Sequence, residues 1–108
     1  MIRACAVSDL PEGEALRIEG PMPVSIFHAE GGFYALDDTC THQDASLADG
    51  WIEGCFVECP LHAAQFDLRT GVPNCLPAKH AVRTYPVVVE DGMIYVDTAA
   101  PEIQRDVA

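Results

Sequence analysis

The chain has 108 residues, of which 49% are hydrophobic and 21% are charged. This length and composition predict one globular domain with a modest core and exclude a disordered chain. Seventeen acidic against six basic residues give a formal net charge of −11, which disfavours nucleic acid and anionic membranes as partners. No apolar stretch approaches the roughly 20 residues that span a bilayer, and no secretory signal pattern opens the chain, so we expect a cytoplasmic protein.

Strand patterns dominate the first third of the chain. One strand is predicted over residues 2–7 and another around 15–19, with a turn at Pro11-Glu12-Gly13 between them. Two further runs, 24–28 and 33–36, flank a glycine turn. They predict a hairpin.

Two short Cys/His pairs follow: Cys40-Thr41-His42 and Cys59-Pro60-Leu61-His62, with sixteen residues between them. Four ligands spaced in this way can hold one two-iron, two-sulfur cluster between two loops. Zinc fingers usually group their cysteines and their histidines, whereas this chain alternates Cys, His, Cys, His. A zinc-stabilised structural or interaction module is the alternative, and analysis for iron and acid-labile sulfide distinguishes the two.

The mixed ligand set has consequences for redox chemistry. Two neutral imidazoles in place of two thiolates make the addition of an electron easier and raise the reduction potential, so we expect the histidine-bound iron to take the electron. An imidazole that binds metal through one nitrogen keeps its other nitrogen for a partner, a solvent molecule or a proton. We therefore expect the cysteines to lie inside and the histidines to face outward.

The rest of the chain is also predicted to be mostly strand. The one helical candidate, 43–49, is at most one or two turns long. Runs at 85–89 and 93–96 flank Asp91-Gly92, a strong hairpin signal, and Pro86 should lie at a strand start or edge. The fold class is therefore all-β, a small antiparallel sandwich or barrel.

The remaining cysteines and histidines have no motif around them. Cys5, Cys55 and Cys75 do not imply a disulfide framework. Cys5 is expected in the core, and buried packing is also expected for Cys55 and Cys75, with further metal binding as the alternative. His28 shares a strand face with apolar residues and is predicted to be structural, while His80 is predicted to lie in an exposed loop.

Three further residues are candidates for contact with a partner protein. Asp44 and Asp49 lie between the pairs and are the acidic residues best placed for docking. Trp51 is expected to pack, with docking as the alternative.

The paired ligands resemble the motif of the Rieske family, C-x-H followed by C-x-x-H. The stretches 59–66 (CPLHAAQF) and 67–71 (DLRTG), and the step Thr84-Tyr85-Pro86, look like the small ferredoxins of bacterial aromatic-ring hydroxylating dioxygenase systems. The resemblance implies a single Rieske domain over 1–108, with a base formed by 1–39 and 72–108 and a two-loop cluster-binding subdomain over 40–71.

The resemblance also implies roles for individual residues. Cys40 and Cys59 would bind the inner iron of one [2Fe-2S] cluster, and His42 and His62 the outer iron. Leu76-Pro77-Ala78 resembles the proline loop that covers the cluster in this family, although an ordinary surface turn is the alternative.

The resemblance further suggests a low reduction potential. Respiratory Rieske proteins carry an extra cysteine in each loop and hydroxyl groups that donate to sulfur, whereas this chain has Ala45, Leu61, Ala64 and Phe66. Without those donors the potential should lie near the low end of the Rieske range, about −150 mV. We also expect His42 and His62 to keep their outer protons at neutral pH.

The implied function is that of a one-electron carrier, not an enzyme. It would accept electrons from a flavoprotein ferredoxin reductase that uses NAD(P)H and pass them, as a monomer, to a terminal Rieske oxygenase. A mononuclear iron oxygenase uses two histidines and one carboxylate at an open metal site. Once His42 and His62 bind the cluster, only His28 and His80 remain, and no second domain is expected to hold a substrate, so catalysis by this chain alone is rejected. A Rieske small subunit of another oxidoreductase, such as a nitrite reductase, is the remaining alternative, and the ring substrate is not encoded here.

Overall fold

The computed structural model describes residues 1–20, 22–39, 45–60, 65–73 and 81–102. These residues form strands joined by turns and by two short 3₁₀ helices, Val7–Asp9 and Leu47–Asp49. In chain order the strands are β1 Ile2–Ala6, β2 Ala15–Ile18, β3 Val24–Ala29, β4 Gly32–Asp37, β5 Trp51–Glu53, β6 Phe56–Glu58, β7 Gln65–Asp67, β8 Thr84–Tyr85, β9 Val87–Glu90 and β10 Met93–Val96.

The strands make three antiparallel sheets. The first has the order β1-β10-β9, the second β2-β3-β4-β8 and the third β5-β6-β7. The predicted all-β class is therefore confirmed. The described residues contain no helix that is long and apolar enough to cross a bilayer.

The second sheet lies between the other two and is buried on both faces. Along β3, Val24 and Ile26 pack in one apolar core, while Phe27 and Ala29 pack in another. Because successive side chains of a strand point to opposite faces, the two sets lie on opposite sides of the sheet. This explains why β3 is almost continuously buried instead of alternating.

Two cores result, one on each side of the second sheet. The base core joins the first and second sheets and consists of Leu10, Val24, Ile26, Ala35, Tyr85, Ile94 and Val96. The tip core joins the second and third sheets and consists of Phe27, Ala29, Leu36, Ala45, Leu47, Cys55, Val57, Cys59, Phe66, Leu68 and Val82.

Both predicted hairpins are present. The turn between β3 and β4 has positive φ at Glu30 (48°) and Gly31 (76°), and the turn between β9 and β10 has positive φ at Asp91 (53°) and Gly92 (74°). Two consecutive residues with positive φ match the twist of the flanking strands, which is why such turns connect tight hairpins.

The prediction of one continuous strand over 85–89 is wrong. Tyr85 pairs with Ala35 in the second sheet, whereas Val87 pairs with Val96 in the first. Pro86 lies between the two strands and, having no N–H, cannot donate to either ladder. The chain crosses from one sheet to the other at this proline.

The third sheet is the part of the fold that the sequence pattern did not predict. Its strands have three residues each, too few for alternation to stand out. The predicted short helix over 43–49 is observed in its described part as the 3₁₀ helix Leu47–Asp49. The third sheet falls within the predicted cluster-binding subdomain, although the proposed boundaries at 40 and 71 remain a prediction.

Candidate metal centre

Cys59 follows directly after β6 and is the one predicted ligand among the described residues; Cys40, His42 and His62 lie outside them. Cys59 is 1% exposed and belongs to the tip core. Ala45 and Leu47, which follow the first Cys/His pair in sequence, are buried in the same core. The chain that leaves the first pair and the chain that enters the second therefore meet in one apolar environment.

The segment that carries the first pair is closed at its base by backbone contacts. Thr39 and Ser46 form an isolated antiparallel bridge. The Leu47 amide donates to the Asp38 carbonyl at 2.7 Å, and the Asp38 amide donates to the Pro23 carbonyl at 2.9 Å. The two ends of residues 40–44 are thus held together.

The carboxylate of Asp38 strengthens this closure. Its Oδ1 accepts hydrogen bonds from the Ser46 hydroxyl at 2.8 Å, from the Ala48 amide at 3.0 Å and from the Ser25 hydroxyl. Its Oδ2 lies 3.5 Å from Arg17 Nε. Asp38 is 1% exposed, and a buried carboxylate requires such partners because an unpaired one would be costly. It therefore ties the returning arm of the first loop to the second sheet.

Gly50 brings the same arm against β6. A Cβ atom at this position would lie 2.0 Å from the Glu58 carbonyl oxygen, a distance that backbone atoms cannot tolerate. The φ of Gly50, −83°, is open to any residue, so the close approach alone requires glycine. This contact places the end of the first loop beside the residue that precedes Cys59.

The described residues on either side of 74–80 lie close together. The Val82 amide donates to the Gly71 carbonyl at 2.9 Å, and Ala81 and Val82 are buried. A Cβ atom on Gly71 would lie 2.2 Å from the Val82 carbonyl oxygen, and its φ is +76°. Glycine is therefore required on both grounds. The predicted proline loop, 76–78, lies outside the described residues.

Asp37 anchors the chain that follows residues 74–80. Its carboxylate accepts from Arg83 Nε at 2.8 Å and from the Tyr85 hydroxyl at 2.5 Å. Burial, followed by the hydrogen bond to Asp37, raises the pKa of Tyr85 to about 12. The hydrogen bond to Asp37 also raises the pKa of Arg83. This pairing fixes β8 against β4.

Several residues weighed in the sequence have structural roles. His28 Nδ1 lies 2.8 Å from the Leu10 carbonyl oxygen and its ring stacks on Phe33 at 4.2 Å, which confirms the structural prediction. Cys55 is buried in the tip core as predicted. Burial and then the neighbouring Cys55 thiol raise the pKa of Tyr34.

The remaining predictions concern Cys5 and the residues considered for docking. Cys5 is partly buried against the base core, where burial and then Asp9 raise the pKa of its thiol. Asp49 is exposed, as a docking residue must be. The prediction that Trp51 packs in the interior is wrong, because Trp51 is 60% exposed. Asp44, Leu61, Ala64, Cys75 and His80 lie outside the described residues.

The described surroundings of Cys59 fit an iron-sulfur cluster. A thiol that is 1% exposed in an apolar core offers a soft sulfur ligand away from water. The chain before it and the chain after the first pair converge on that core, so both pairs can contribute to one centre. Alternating sulfur and nitrogen donors of this kind suit a mixed-ligand cluster.

Comparison with known proteins identifies the family. Residues 1–86 match the Rieske [2Fe-2S] domain. The chain belongs to the Rieske [2Fe-2S] family. The 3-phenylpropionate/cinnamic acid dioxygenase ferredoxin subunit of Escherichia coli strain K12 is 51% identical over 104 residues, which are 95% of this chain and 96% of that protein.

Solved structures give the same result for this Rieske chain. A chain from the complex of reduced oxygenase and oxidized ferredoxin in carbazole 1,9a-dioxygenase matches with a TM-score of 0.89 and 33% identity, covering 95% of this chain and 96% of that one. The Sphingomonas yanoikuyae B1 ferredoxin matches with a TM-score of 0.84 and 32% identity, covering 90% of this chain and 97% of that one. The Rieske fold implied by the family resemblance is confirmed.

Sequence reasoning missed the two carboxylates that organise this Rieske centre. Asp37 and Asp38 are separated from the first Cys/His pair by one residue, Thr39, and lie at the end of an otherwise apolar strand. Consecutive acids where a buried strand ends were the available signal, because such residues need partners. The sequence does not show that Asp37 pairs with Arg83 and Tyr85. It also does not show that Asp38 pairs with Ser25 and Ser46.

Proposed function

We propose that this Rieske protein carries single electrons to the terminal oxygenase of an aromatic-ring dioxygenase system, with Cys40, His42, Cys59 and His62 as the cluster ligands. The observation that carries the proposal is the burial of Cys59 in the same core as Ala45, which follows the first pair. The relationship to ferredoxin subunits supports the assignment, since those proteins are the electron-transfer components of dioxygenases.

When bound, a [2Fe-2S] cluster supplies a one-electron redox couple. The chain contributes the surroundings of that couple. The tip core excludes water from the Cys59 sulfur, and Asp38 holds the returning arm of the first loop. Burial and fixed ligand geometry are among the means by which a protein sets a reduction potential. The chain itself oxidises no substrate.

In this proposal electrons come from a flavoprotein ferredoxin reductase that uses NAD(P)H, and the protein works in the cytoplasm as a monomer. The net charge of −11 favours partners with basic docking surfaces. The carbazole complex, in which a ferredoxin and an oxygenase are together, is a precedent for the second transfer step.

The ligand assignment can be tested with a matched pair of cysteine variants. Cys59 and Cys55 are both buried in the tip core, but only Cys59 is a proposed ligand. After anaerobic purification, the wild type and Cys55→Ala should each contain two irons and two acid-labile sulfides, as a [2Fe-2S] centre requires. Cys59→Ala should contain neither. Zinc without sulfide in the wild type would instead establish the structural-module alternative.

The transfer function can be tested with defined partners. The oxygenase component of the 3-phenylpropionate/cinnamic acid dioxygenase of Escherichia coli is a suitable acceptor, given the 51% identity to its ferredoxin subunit. Reduced wild-type protein should transfer electrons to it in stopped-flow experiments, and the second-order rate constant should fall as salt is raised. Failure to reduce this oxygenase or any other aromatic-ring oxygenase would overturn the proposed function.

A further inference from the structure

The outer face of the third sheet carries an exposed aromatic residue beside the predicted ligand. Ile52, Val57 and Phe66 of this sheet pack toward the tip core. Their neighbours on β5, Trp51 and Glu53, point the opposite way and are exposed. Trp51 is 60% exposed and is the only exposed large aromatic among the described residues. Most apolar residues of its size are buried, so its position is informative.

Trp51 stands directly across from Glu58. The two residues are partners in the antiparallel register of β5 and β6, so their side chains lie on the same face. Glu58 precedes Cys59 in sequence, which places the pair at the end of the sheet nearest the proposed ligand. A partner that contacts Trp51 and Glu58 would therefore lie next to the backbone of the proposed ligand Cys59.

The carboxylate of Glu58 is available to such a partner. Within the described residues, the ion pairs join Arg17 to Glu19 and Asp38, Arg69 to Asp67, and Arg83 to Asp37. Neither Glu58 nor Glu53 takes part in these ion pairs. The face thus combines a flat apolar surface with unpaired negative charge.

An arginine side chain is chemically complementary to Trp51 and Glu58. An arginine guanidinium is planar, stacks on an indole ring and donates two parallel hydrogen bonds to a carboxylate. Lysine lacks the planar donor fork, and an anionic partner would be repelled by a chain of net charge −11. A second copy of the chain is a poor occupant for the same reason, and three of its described arginines, Arg17, Arg69 and Arg83, are already paired.

We propose that Trp51 and Glu58 together form the docking point for an arginine side chain of the terminal oxygenase. The proposal rests on the proposed function, which names the oxygenase as the electron acceptor. Docking at this point holds the acceptor against the β5–β6 edge of the third sheet, one residue from Cys59. The pair then determines how often an encounter becomes productive.

The single tryptophan of the chain makes the contact directly observable. Protein labelled with 5-fluorotryptophan has one fluorine-19 resonance, and addition of the oxygenase of the Escherichia coli phenylpropionate system should shift or broaden it. The label must then respond to the oxygenase in the oxidised state, before any electron moves. A resonance that responds to a flavoprotein reductase but not to the oxygenase would overturn the choice of partner.

Kinetic variants test the same contact by a second route. Trp51→Ala should lower the second-order rate of electron transfer about tenfold, as expected for loss of one stacked, hydrogen-bonded arginine. Glu58→Gln should lower it less and weaken its salt dependence. Trp51→Ala changes no charge and should keep the wild-type midpoint potential, which separates docking from redox tuning.

Strand β9 provides matched controls far from this face in sequence. Val89 is 49% exposed and Glu90 is exposed, so on the first sheet Val89→Ala truncates an exposed apolar side chain and Glu90→Gln neutralises an exposed carboxylate. Both should transfer electrons at the wild-type rate. If Trp51→Ala and Glu58→Gln also match the wild type, the docking proposal is wrong while the proposed function stands. If the wild type itself reduces no oxygenase, the proposed function fails first.

Discussion

Asp37 and Asp38 are consecutive in the chain, yet their carboxylates hold different segments around the proposed cluster. Asp38 accepts from Ser46 and from the Ala48 amide, so it holds the arm that returns from the first Cys/His pair. Asp37 accepts from Arg83 and Tyr85, so it holds the chain that returns from residues 74–80. Opposite side-chain directions at successive extended residues allow this division.

The role of Asp38 predicts a specific loss of cluster stability. Asp38→Ala should remove the acceptor of three hydrogen bonds and lower the free energy of unfolding by about 3 kcal/mol, because buried donors would be left unpaired. Chelator-driven release of the cluster, followed by visible absorbance, should be clearly faster than in the wild type. Asp38→Asn keeps one acceptor oxygen and should release the cluster at an intermediate rate. Equal rates for Ala and Asn would count against the hydrogen-bonding role.

The environment of Tyr85 predicts a high-pH dependence of stability. Its pKa is raised to about 12 by burial and by the hydrogen bond to Asp37, while the unfolded value is near 10. The folded state therefore favours the protonated phenol, and the stabilisation is complete below pH 10 and lost as pH rises toward about 12. Absorbance at the tyrosinate band should show a titration near pH 12 from Tyr85 in the wild type, in addition to that of Tyr34, whose pKa is also raised.

Tyr85→Phe provides the comparison. The variant should lack the titration near pH 12. It should lose about 2 kcal/mol at neutral pH, since a hydrogen bond to a charged group contributes about 1.5 to 3 kcal/mol. Tyr95→Phe removes a tyrosine from the same region of sequence without touching Asp37. Persistence of the late titration in Tyr85→Phe would show that another tyrosine is responsible.

The close approach at Gly50 predicts strong intolerance of a single methyl group. Gly50→Ala should destabilise the protein by roughly 1 to 3 kcal/mol, because the new Cβ meets backbone that can yield only by moving β6. Gly20→Ala is the control, since nothing lies within 4 Å of its Cβ position. Urea denaturation should show a lower midpoint for Gly50→Ala and a wild-type midpoint for Gly20→Ala. Two equal midpoints would contradict the packing inferred here.

The apolar residues near the predicted ligands lead to a redox prediction. Phe66 is fully buried in the tip core and, like Ala64, offers no donor to sulfur. Phe66→Tyr combined with Ala64→Ser should raise the midpoint potential, since hydrogen bonds to sulfur favour the reduced state. Protein-film voltammetry measures the change directly. An unchanged potential would refute this account.

The expected protons on the outer imidazole nitrogens lead to a separate prediction for the wild type. If His42 and His62 keep these protons, the midpoint potential should not change with pH near neutrality. A midpoint potential that changes with pH between about pH 6 and 8 would contradict it.

The sequence by itself determined the features that depend on neighbours along the chain. The alternating Cys/His pairs carried the resemblance to the Rieske family, since that motif lies in two short stretches of sequence. Asp91-Gly92 predicted its hairpin because the turn conformation belongs to those two residues. The strand class followed from runs of β-branched and aromatic residues, as in 24–28.

Only the tertiary structure decided features that depend on distant residues. Tyr85 and Val87 belong to different sheets because of what each packs against, and their apolar character gives no sign of the change at Pro86. Asp37 finds its partner Tyr85 48 positions away, so no local pattern could reveal it. Trp51 is exposed because the fold turns that face of a three-residue strand outward, and the identity of the residue cannot specify which side of a sheet the core will cover.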